Sequence, residues 1–92
     1  MRDYVYTAWL QDSSLANDEQ DFEFPACFRV AALSENAALE WGDSLVRGLC
    51  SRRSEVAFLK STAKLANLED PAVVALPKVE YGRMADDHEI GW

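Results

Sequence analysis

The chain has 92 residues, 49% hydrophobic and 27% charged, with sixteen acids against nine bases and a formal net charge of −7. This length suits one hydrophobic core, burying roughly two-thirds of the unfolded surface, and the composition is globular rather than disordered. The acidic balance argues against nucleic acid and anionic lipid, which need a basic footprint, and no apolar run is long enough for a membrane helix.

The opening "MRDYVYTAWLQD" lacks the apolar stretch and small-residue cleavage pattern of a secretory signal. A cytoplasmic location is therefore expected, with Cys27 and Cys50 as reduced thiols. Their spacing matches neither a zinc site nor a redox motif.

Residues 3–10, "DYVYTAWL", predict a strand. Tyr4, Tyr6, Ala8 and Leu10 fall on one face and Val5, Thr7 and Trp9 on the other, in the aromatic and β-branched composition that strands favour. Residues 11–23 read as a loop rich in Asn, Asp and Ser, carrying Asp12, Asp18, Glu19, Asp21 and Glu23. Loops of this length are uncommon unless they serve a function. A second strand follows, with Phe24, Ala26, Phe28, Val30 and Ala32 alternating against Cys27, Arg29 and Ala31. Pro25, which has no N–H for a ladder, belongs near its start or on an edge.

A helix is predicted over residues 34–50, capped by Ser34 with Glu35 in its first turn. Its apolar stripe is Ala38, Trp41, Leu45 and Leu49, flanked by Ala37 and Val46, at the spacing of one helical face. Trp41 is the expected core anchor, and Asp43 and Arg47 are placed to pair in solvent. Gly42 and Gly48 weaken the helix unless a neighbour packs close.

Residues 55–66 fit two patterns. As a helix capped by Ser54, they would turn Val56, Leu59, Ala63 and Ala66 inward, and their Ala, Leu and Lys content suits that state. As a strand, they would set Ala57, Leu59, Ala63 and Leu65 against Lys60, Thr62 and Lys64. The turn-like "NLEDP" that follows favours the strand. A last strand is predicted over 72–81, with Pro77 demoting it to an edge, and an acidic tail over 83–92. The sum is a small α+β single domain spanning 1–92, ordered ββαββ: an antiparallel sheet of about four strands with one amphipathic helix across a face.

The chemistry-bearing residues are few. Asp86, His88 and Glu89 are metal-ligand types, and His88 is a potential general base beside Asp86 or Asp87. In an extended chain, however, neighbours point to opposite sides. Neither an EF-hand loop nor a nucleophile or phosphate-binding motif accompanies them. Enzyme activity is disfavoured and no cofactor is expected. A small metal- or ligand-binding protein, with hydrolytic chemistry centred on these three residues, is the alternative reading.

The main expectation is a non-enzymatic, inhibitor- or immunity-like interaction domain. Asp18, Glu19, Asp21 and Glu23 would meet a basic partner through electrostatic steering. Ile90 and Trp92 either dock onto the core, the plainer solution for a terminal indole, or form an exposed anchor for a partner or a second copy. Strand addition at an open sheet edge is a further route, with Pro77 guarding one edge.

Overall fold

The computed structural model describes residues 1–12, 23–52, 56–85 and 90. In chain order its elements are β1 (Arg2–Asp12), β2 (Glu23–Ala32), α1 (Glu35–Ser51), β3 (Val56–Leu65), α2 (Pro71–Val74) and β4 (Lys78–Glu80). The four strands form one sheet in the order β3-β1-β2-β4. β1 lies between β2 and β3 and runs antiparallel to both, whereas β4 runs parallel to β2.

The alternation in β1 decides which face is covered. Tyr4, Tyr6, Ala8 and Leu10 are buried, while Val5, Thr7 and Trp9 are half-exposed. Phe28, Val30 and Ala32 of β2 join the buried set. α1 closes that face, contributing Ala38, Gly42, Leu45, Val46 and Leu49. Its start is fixed by Ser34, whose extended backbone leaves the side chain to accept the Ala37 N–H at 3.1 Å, an N-cap that satisfies one of the helix's orphan donors.

The buried face of α1 is turned slightly from the predicted stripe. Its centre is Gly42 rather than Trp41, because the Tyr6 ring occupies the space where a residue-42 side chain would stand. Trp41 is displaced to the flank. It is half-buried and packs against Tyr81 with ring centroids 5.5 Å apart, and its buried indole N–H has no hydrogen-bond partner among the described residues.

The expected solvent pair of Asp43 and Arg47 is also redirected. Asp43 Oδ1 accepts the Tyr6 hydroxyl at 2.6 Å and the Ser61 hydroxyl at 2.5 Å, and the Arg47 guanidinium lies 4.2 Å from the Phe58 ring centroid. One carboxylate thus ties α1 to both β1 and β3.

Residues 56–65 are a strand, as the turn after them implied. The inward set differs from the prediction because of an irregularity in register between Trp9 and Leu10, where Leu59 is skipped in the pairing. A bulge shifts the alternation by one residue. Val56 and Phe58 therefore turn towards the core, while Ala57 and Leu59 are exposed.

Residues 72–81 do not form the predicted strand. Asp70 caps a single helical turn by accepting the Ala72 N–H at 2.9 Å, with Pro71 in its first turn, where the missing N–H costs nothing. Strand structure resumes only after Pro77 and lasts three residues. β4 is parallel to β2, so the sheet is mixed rather than wholly antiparallel. Gly82, at φ 84°, adopts the left-handed conformation just after β4, a backbone shape that glycine accepts without steric cost.

Candidate interaction surface

With α1 on one face, the other face of the sheet displays rows of side chains set by the strand register. From one end, Lys60, Trp9 and Pro25 stand side by side. Then come Thr62, Thr7 and Cys27, followed by Lys64, Val5, Arg29 and Lys78. Asp3 and Ala31 follow, with Glu80 beside Ala31 on β4. The protein is acidic overall, yet this surface gathers the cations Arg29, Lys60, Lys64 and Lys78.

Two of these cations are engaged. The Arg29 guanidinium reaches Asp3 at 3.3 Å and the Lys78 ammonium reaches Asp3 at 3.4 Å. Arg29 also donates to the carbonyls of Val74 and Leu76, so it clamps the end of α2 to the sheet. Lys60 lies 5.0 Å from the Trp9 ring centroid, within the range of a cation–π contact. Lys64 has no ion pair among the described residues. Thr7 donates its hydroxyl to the Cys27 sulfur at 3.5 Å. Cys50, near the end of α1, has its thiol pushed up by burial, an effect that Arg47 partly offsets.

Among the described residues, β3 is the outer strand on its side and pairs only with β1. The Ala66 N–H donates to the Asp3 carbonyl at 2.9 Å, which fixes the phase of the antiparallel ladder. By alternation, the backbone groups of Thr62 and Lys64 face β1, and those of Ser61, Ala63 and Leu65 face outward. Around this edge stand Leu59 (41% exposed), Leu65 (55%) and Leu68 (55%). Where β1 begins and β3 ends, Met1, Arg2, Asp3, Leu65, Ala66 and Leu68 line an open cleft of about 350 Å³.

No family model matches this chain, and no curated protein or solved structure matches it either. The surface must therefore be read from its own chemistry.

Of the residues singled out from sequence, Glu23 is exposed at the start of β2, opposite Gln11. Ile90 is 3% exposed and belongs to the same buried cluster as Val79 and Ala85. Of the two alternatives for Ile90, its burial matches docking onto the core, with the side chain withdrawn from solvent. Asp18, Glu19, Asp21, Asp86, His88, Glu89 and Trp92 lie outside the described residues. Among the described residues, no group of three or more His, Cys, Asp or Glu side chains is placed to hold a metal ion.

Sequence reasoning did not single out Lys60, Lys64 or the outward backbone of β3. The alternation Lys60-Thr62-Lys64 was the available signal, since a polar period of two marks the solvent face of a strand. No described helix is long and apolar enough to cross a membrane.

Proposed function

We propose that the protein is a non-enzymatic interaction domain that binds another polypeptide by strand addition along β3. The observation that carries this reading is the ten-residue length of β3 with a strand partner on one side only among the described residues. An edge of that length presents a row of outward donors and acceptors, the template used in β-augmentation. The opposite edge differs: β4 has three residues and follows Pro77, so it offers little ladder to a visitor. Exposed Leu59 and Leu65 would add apolar contact for alternate side chains of the guest.

An inhibitor-like role fits this mode, because main-chain pairing supplies affinity and the flanking side chains supply selectivity. Steering of a basic partner by the acids of the 11–23 segment is compatible with it. Leu65→Pro tests the proposal. Its N–H faces outward, so proline there leaves the β1 ladder intact while blocking a guest strand. Extended peptides selected from a displayed random library on the wild-type chain should lose binding to Leu65→Pro. Peptides that bind both proteins equally would rule out the edge.

A further inference from the structure

We infer that the guest strand is acidic, with two carboxylates four residues apart on one face, meeting Lys60 and Lys64. The inference rests on the proposed strand addition and names its partner class. Lys60, Thr62 and Lys64 occupy the same face of β3, because they pair successively with Trp9, Thr7 and Val5. All three are exposed. A strand laid along the outer edge, in either direction, sets its own alternate residues opposite them, where opposite charges attract and like charges repel.

The pair is already partly oriented. Lys60 sits over the Trp9 ring, and Lys64 stands in the row of Val5 and Arg29. Arg29 and Lys78 share the Asp3 carboxylate and the Arg29 side chain also holds α2. Among the described residues of this face, the two edge lysines are the cations without an ion pair, left for an incoming anion.

The same lysines disfavour a second copy of this chain. In the two-fold register that pairs Ser61 with Ala63 of the second copy, Lys60 faces Lys64 of the second copy. One step along, where Ala63 meets its own mate, Lys64 faces Thr62 of the second copy with further lysines on the diagonals. Lysine on an edge strand is a common barrier to self-pairing, and here it leaves an acidic strand as the complementary occupant. The net charge of −7 opposes an anionic guest at long range. Salt limits that effect to about 8 Å at physiological ionic strength, whereas the cross-strand pairs form in contact.

The test uses two blocked peptides, Thr-Glu-Val-Thr-Val-Glu-Thr and its analogue with Gln in place of both Glu. Each is titrated into the full chain and followed by backbone amide shifts. The Glu peptide should bind roughly 2- to 30-fold more tightly, the span expected for two cross-strand charge pairs. It should move the Ser61, Ala63 and Leu65 amides, and the preference should vanish on K60Q/K64Q. Equal binding of both peptides at those amides would overturn the acidic selectivity while leaving strand addition standing. No movement of those amides by either peptide at millimolar concentration would overturn both. Dimerisation of the wild-type chain by sedimentation, abolished by Leu65→Pro, would make a second copy the occupant and overturn the acidic guest.

Discussion

Substituting alanine at the two glycines of α1 should change stability in opposite directions, because the space beside them differs. A Cβ added at Gly42 would lie 2.5 Å from both Cγ and Cε2 of Tyr6 and closer still to Cδ2. Ordinary carbon contacts are about 3.5–4.0 Å, so an overlap of about 1 Å must be relieved. The ring has nowhere to go: it is fully buried, its hydroxyl is held by Asp43 at 2.6 Å, and Phe28 lies 5.0 Å away centroid to centroid. Overpacking of this kind costs about 1–3 kcal/mol, and at a pinned ring the upper part of that range applies. Removing a helical glycine returns up to about 1 kcal/mol, which leaves Gly42→Ala destabilised by about 1–2 kcal/mol.

Nothing lies within 4 Å of the same atom at Gly48, so Gly48→Ala keeps the propensity gain without the clash. For a domain of this size each kcal/mol moves the melting temperature by about 4–8 °C. Thermal melts by circular dichroism should show Gly42→Ala below wild type and Gly48→Ala at or above it. Gly42→Ala melting at or above wild type, with Gly48→Ala behaving as stated, would refute the packing of Tyr6 on α1.

Other consequences follow from the same contacts. Asp43→Ala strands the Tyr6 hydroxyl and should cost about 1–3 kcal/mol in denaturant melts; a loss below about 0.5 kcal/mol would contradict the shared-carboxylate contact. Burial, and then the hydrogen bond to Asp43, push Tyr6 well above its ordinary pKa of 10.0. The raised folded value means its contribution is complete below about pH 10 and declines as pH rises further, because the unfolded phenol ionises first. Tyr6→Phe should flatten the fall in stability above pH 10, and an unchanged slope would assign that fall to other groups. Ile90→Ala removes a side chain that is 3% exposed and should cost about 2–5 kcal/mol, readable as a lower midpoint in urea; an unchanged midpoint would place Ile90 outside the core.

Much of this architecture is legible in the residues. The alternation of Tyr4, Tyr6, Ala8 and Leu10 marks the covered face of β1, and Ser34 with Glu35 marks the start of α1. What misleads is local geometry that periodicity does not carry. A single bulge in β3 turns Phe58 inward and Leu59 outward. In α1 the close approach is made at Gly42, a residue without a side chain to advertise it, so the larger Trp41 is the more conspicuous candidate. The Val73-Val74 pair suggests a strand, but Asp70 and Pro71 supply a cap and a first helical turn, and they prevail over β-propensity. The docking surface is harder still to read, because backbone groups at an edge leave no trace in side-chain identity. Only strand order reveals that β3 is outermost.

Amide hydrogen exchange along β3 in the free protein tests the edge most directly. Thr62 and Lys64 should exchange slowly, held by the β1 ladder, while Ser61, Ala63 and Leu65 exchange fast. Slow exchange at all five would mean that the outer side of β3 is already occupied, and the strand-addition account would fail.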